Sequence, residues 1–171
     1  LSSNTATQYI FTKAYAFGSY SFGSTTDSLT ATATDAAGNT DTFNTSITVI
    51  KSDNVGPTIS GLSASSSSVS LTSSAQNTET ITFTASISDN VGISSVSFGG
   101  LTPSISGNNY TWTKNYAFGS FSFGSSTDAL TLSVTDTAGN TATDSVSVSI
   151  TKIDNVAPTI SSFSANDTTV S

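Results

Sequence analysis

Residues 79–88 read ETITFTASIS, and this stretch decides the fold class. Ile81, Phe83, Ala85 and Ile87 fall on every second position, with threonine and serine between them. A period of two places successive side chains on opposite faces of an extended chain, so one face is apolar and the other hydroxylated. The same alternation returns in DALTLSVTD, through Leu130, Leu132 and Val134, and in DSVSVSI, through Val146, Val148 and Ile150. No stretch carries apolar residues at helical spacing, and β-branched and aromatic residues supply most of the apolar positions. The chain reads as all-β.

Working outward, shorter runs complete the pattern. Pro57 to Val69 reads as a first strand, and the Ser-rich stretch SASSSSVSLTSS as the connection to the next. Ile93 to Phe98 is a short strand closed by Gly99-Gly100, and Tyr110 to Tyr116 (YTWTKNY) is another. Seven or so short strands with turn signals between them describe a two-sheet sandwich.

The chain also repeats itself. A shift of 101 residues aligns Thr12–Ser60 with Thr113–Ser161, with 31 identities in 49 pairs and no insertion. A period near 100 residues is one sandwich-sized domain. The recurring DNVGPT and DNVAPT segments mark the joins, since proline donates nothing to a ladder and suits the entry to an edge strand. The expected organisation is therefore the C-terminal part of one repeat (1–52), a complete repeat (53–153) and the first strand of a third (154–171). A chain that begins and ends inside a repeat reads as a stretch of something longer.

Composition limits the chemistry. Among 171 residues there is no cysteine, histidine, methionine or arginine, while 36 serines and 31 threonines carry hydroxyls. Triads built on histidine and thiol chemistry are excluded in this sequence, and paired aspartates would have turn residues rather than an apolar pocket around them. The reading is not an enzyme. A net charge of −7 with four lysines argues against nucleic acid and against anionic membranes. No apolar run approaches membrane-spanning length, and LSSNTATQYI carries no signal-peptide pattern. Hard cations are the natural partners.

The eleven acidic residues are placed informatively. With strands in immunoglobulin-like order, the linker (Asp53, Asn54), the loop SDNVG (Asp89, Asn90) and the loop TDTAGN (Asp136 to Asn140) converge on one pole. Asp27, closing GSTTD, is expected to face the same seam. A second seam would use Asp154, Asn155 and Asp128. Clustered carboxylates repel unless neutralised, and an all-oxygen donor set points to Ca²⁺. Asp53, Asp89 and Asp136 are the expected primary ligands, assisted by Asn54, Asn90 and Asn140. The plainer reading stands beside it: Asp and Asn are favoured turn residues that hydrogen-bond their own backbone.

The segments DNVAPTI, SDNVGISSVS and VTDTAGNTATDSVSVSI resemble bacterial immunoglobulin-like repeats of giant surface adhesins and related extracellular fibres. The resemblance covers the whole chain. It implies a secreted or cell-surface protein of tandem sandwiches, often calcium-stiffened at the linkers, with a spacer or fibre-forming role. YAFGSFSFGSSTD departs from that group's usual pattern. Its Tyr116, Phe118, Phe121 and Phe123 are expected to plug the core; the alternative is a stacking platform for carbohydrate or a partner fibre. Lys114 and Glu79 share phases with core residues, which raises an intramolecular isopeptide cross-link against simple snorkelling to solvent. The partners expected are neighbouring repeats and other copies of the fibre. Glycans are a further candidate, given the sequons at Asn44, Asn109 and Asn166. Ice binding by threonine rows has composition alone behind it.

Overall fold

The computed structural model describes residues 9–164 and 166. The chain divides into a unit ending at Asn54 and a unit beginning at Val55. Among the described residues both are built from strands, with only two short 3₁₀ turns, at Phe17–Ser19 and Phe118–Ser120.

Among its described residues the first unit holds one antiparallel hairpin, β1 (Gly23–Thr34) paired with β2 (Thr40–Lys51) in unbroken register from Gly23↔Lys51 to Thr34↔Thr40. In the second unit the strands are β3 (Thr58–Ala64), β4 (Ser68–Thr72), β5 (Thr78–Ser88), β6 (Ile93–Phe98), β7 (Ser104–Ser106), β8 (Asn109–Ala117), β9 (Gly124–Asp136) and β10 (Thr141–Ile153). They form two four-stranded sheets, ordered β4-β10-β9-β6 and β3-β5-β8-β7.

One core lies where the inner faces meet. The alternation of β5 buries Ile81, Phe83, Ala85 and Ile87, and that of β9 buries Leu130, Leu132 and Val134. Phe98 of β6 ties the sheets together, with its ring 5.3 Å from Phe83 and 4.9 Å from Trp112. Each fully buried side chain of this size contributes roughly 1.5–3 kcal/mol. The outer faces are the hydroxylated positions, and cross-strand pairs such as Thr80–Asn115 (2.8 Å) satisfy part of them.

The Ser-rich stretch departs from expectation. It is not a plain connection, because it carries β4, whose Val69 and Leu71 are buried. Pro57 to Val69 is likewise two strands in different sheets rather than one. The change of sheet begins at a bulge between Ser60 and Ser63, where Gly61 takes φ +65°. That conformation carries no Cβ penalty only in glycine. Ser66 then holds the link by accepting from the Ser68 N–H (3.2 Å) and donating to the Ser68 carbonyl (2.8 Å). β4 runs parallel to β10, pairing Ser68–Thr72 with Ser149–Ile153. No strand forms over residues 154–164, and the rest of the expected third-repeat strand lies mostly outside the described residues.

Candidate metal centre

Three segments supply the acidic site. In the loop between β5 and β6, Asp89 Oδ1 accepts from the backbone N–H groups of Val91 (2.9 Å) and Gly92 (2.8 Å). This local turn fixes the carboxylate and leaves Oδ2 buried with no hydrogen-bond partner among the described residues. In the loop between β9 and β10, Asp136 Oδ1 accepts from the N–H groups of Ala138 and Asn140 (both 2.8 Å). Its Oδ2 accepts from Asn140 Nδ2 at 2.7 Å. The loops are tied by the Thr137 N–H donating to the Gly92 carbonyl (3.0 Å). The segment entering β3 supplies Asp53, followed by the Val55 carbonyl, which accepts from Asn140 Nδ2 at 3.4 Å, and by the buried Pro57. One carboxylate oxygen from each of Asp53, Asp89 and Asp136 lies within 4.8 Å of the other two.

Asp136 is 1% exposed. Burial alone would raise its pKa, but the hydrogen bonds from Asn140, Ala138 and Gly139 outweigh burial and hold it below the ordinary aspartate value. These bonds belong to the loop itself. Asp35 makes the same set with Ala37 (2.9 Å) and Asn39 (2.8 Å to each carboxylate oxygen), outside any acidic cluster among the described residues. Its pKa is lowered too, first by the Asn39 side chain. The AGN sequence is therefore a self-sufficient turn. What could hold a metal ion is the group of three carboxylates together with the buried oxygen of Asp89, an all-oxygen set.

The remaining expected ligands lie elsewhere or at the margin. Asn54 and Asn90 are exposed. Asp27, expected at the first seam, and Asp128, expected at the second, each sit inside a strand rather than a loop, and each is claimed by a lysine on the preceding segment. Asp27 pairs with Lys13. Asp128 accepts from Lys114 Nζ at 2.7 Å and from the Tyr116 hydroxyl at 2.6 Å. That pairing also answers the cross-link expectation. Lys114 meets Asp128 rather than Glu79, and Glu79 accepts from Asn77 Nδ2 (2.9 Å). Asp154 and Asn155 are held by the turn after β4. Ser73 Oγ donates to Asp154 Oδ1, the Ser74 N–H donates to Asn155 Oδ1 (2.9 Å), and Asn155 Nδ2 donates to Ser74 Oγ (2.8 Å).

The aromatic stretch is divided rather than coplanar. Tyr116 is buried and stacks on Phe121, with centroids 5.9 Å apart. Phe118 and Phe123 meet edge to face, at 73°. Phe118 and Phe121 pack against the core, and only Phe123, at 59%, is largely exposed. Sequence reasoning missed what Phe118 and Phe123 enclose, which is Lys152. The signal was present: Lys51 and Lys152 lie 101 residues apart, each at the inward phase of an otherwise apolar run.

Comparison with known family models, curated proteins and solved structures returned no match.

Proposed function

We propose that the chain is a segment of tandem immunoglobulin-like sandwiches serving as a structural spacer in a long secreted or cell-surface protein. Ca²⁺ at Asp53, Asp89 and Asp136 would stiffen the joins. The observation that carries this reading is the position of Asp53. The first residue of the recurring DN-x-x-P linker contributes a carboxylate to the three-aspartate group of a 101-residue repeat. An ion there would neutralise carboxylates that otherwise repel and would tie the linker to two loops. The parallel pairing of β4 with β10 supports a mechanical role. Five residue pairs flank the strand that leads into the next linker, so its bonds share a pull along the chain. The alternative of a binding module is weaker, since Phe118, Phe121 and Tyr116 are committed to the core or to Lys152.

Thermal unfolding in about 1 mM Ca²⁺, the weak end of the range for extracellular calcium modules, against excess chelator tests the reading. Calcium at about ten times its Kd, as ~1 mM ion is for a site of about 10⁻⁴ M, adds about 1.4 kcal/mol of stability by mass action. Chelator is expected to lower the melting temperature of the wild type, and Asp89→Asn to abolish that response. A melting temperature indifferent to chelator leaves the aspartates as turn formers and refutes the calcium site.

A further inference from the structure

The last inward position of β10 is not apolar. Val148 and Ile150 are followed in phase by Lys152, which is only 8% exposed. Its Nζ lies 3.9 Å from the centroid of Phe118 and 4.7 Å from that of Phe123, and donates to the Phe121 carbonyl at 2.7 Å. No carboxylate pairs with it among the described residues, where the ion pairs are Lys13–Asp27 and Lys114–Asp128. The first unit repeats the arrangement. Lys51 Nζ lies 4.2 Å from Phe17 and 4.3 Å from Phe22, and donates to the Tyr20 carbonyl at 2.9 Å.

An ammonium removed from water without a counter-charge is costly unless its protons and charge are met. Two ring faces and a carbonyl meet them here. The segment they come from is also held by the Phe118 N–H, which donates to the Asn77 carbonyl (2.9 Å), and by Phe121 stacked on Tyr116, but Lys152 is what ties it to β10. Residues 118–123 carry the chain from β8 in one sheet to β9 in the other, through a 3₁₀ turn, and restart a ladder only at Gly124 (φ +107°). Gly124 is the cross-strand partner of Lys152 itself.

We propose that Lys152 is a cation–π latch, a conformational device that fastens the inter-sheet crossover 118–123 to the end of β10, immediately before the chain leaves through Asp154 and Asn155. The latch works through charge, because an apolar stem alone would not tether the Phe121 carbonyl. It keeps the final strand from fraying while the strand is loaded from its C-terminal end. This inference stands independently of the calcium site.

The test is amide hydrogen exchange on the whole chain with Lys152→Met, which keeps a long apolar stem and removes the charge. Exchange at residues 119–124 and 150–153 is expected to rise about tenfold or more, as loss of a desolvated cation–π contact implies, with the amides of β5 and β8 unchanged. Lys152→Arg should retain most of the protection. Phe123→Leu, at a site exposed enough to spare the fold, should loosen the same residues, and the double variant should add little. Protection in Lys152→Met equal to wild type would overturn the latch, since the stem would then suffice. Equal loss of protection at every amide would also overturn it, because Lys152 would then act as an ordinary core residue.

Discussion

Replacing Tyr116 by Phe removes one hydroxyl from a defined network and leaves the ring in place. The hydroxyl donates to Asp128 Oδ2 at 2.6 Å, and the same oxygen accepts from Lys114 Nζ at 2.7 Å. Hydrogen bonds to charged groups contribute about 1.5–3 kcal/mol. The lower end applies, because the Asp128 side chain is 21% exposed and keeps Lys114 as a partner. A loss of ~1.5 kcal/mol, at about 4–5 °C per kcal/mol for a unit of this size, lowers the melting temperature by ~6–8 °C near neutral pH. The effect is pH-dependent, and its sign follows from Asp128. Burial raises the Asp128 pKa, but the hydrogen bonds from Lys114 and Tyr116 outweigh it and hold the folded value below the ordinary one. A group depressed in the folded state contributes stability above its unfolded pKa, about 3.9, and loses it as pH falls through the folded value. Tyr116 itself is pushed up, first by burial and then by the Asp128 carboxylate, so it remains a donor throughout. Circular dichroism melts of wild type and Tyr116→Phe at pH 7 and pH 2.5 therefore should show the gap at neutral pH and a much smaller gap in acid. Equal melting temperatures at pH 7, or a gap that persists undiminished in acid, would refute the network as the source of the stability.

Gly99→Ala should destabilise by about 1–3 kcal/mol in a denaturant titration, because φ is +54° and the new Cβ would stand 2.6 Å from Leu130 Cδ2. Phe83→Ala should cost about 3–5 kcal/mol, since the ring is fully buried between the sheets against Phe98. In chelator, Asp136→Ala should lower stability and Asp89→Asn should leave it unchanged or raise it. Asp136 accepts three hydrogen bonds within its loop, whereas Asp89 Oδ2 accepts none among the described residues. Ser73→Ala should speed amide exchange at Asn155 and Val156 without altering any calcium response, because Ser73 Oγ accepts from the Asn155 N–H at 3.0 Å and lies far along the chain from the Asp89 loop.

What the sequence determined by itself was local and periodic. Alternation in ETITFTASIS assigns Ile81, Phe83, Ala85 and Ile87 to one face, because side-chain direction along a strand depends only on parity. The shift of 101 residues likewise makes the FGS turns, the AGN loops and the DN-x-x-P segments comparable without any coordinates. The split of Pro57 to Val69 into β3 and β4 was hidden, since the bulge at Gly61 shifts the inward phase from Ile59 to Leu62 and a serine-satisfied link then moves the chain between sheets without any charged or proline break. Partner choice was hidden as well. Asp27 and Asp128 look like loop acids in one dimension, but each lies inside a strand and meets a lysine fourteen residues earlier, Lys114 reaching Asp128 from the opposite sheet, and the nearest opposite charge wins. The grouping of Asp53, Asp89 and Asp136 could be expected from the sequence only by assuming a strand order, whereas their lying within 4.8 Å, and the closing of two rings on Lys152, depend on distances between residues tens of positions apart. Such distances are set by sheet order and packing, which periodicity does not encode.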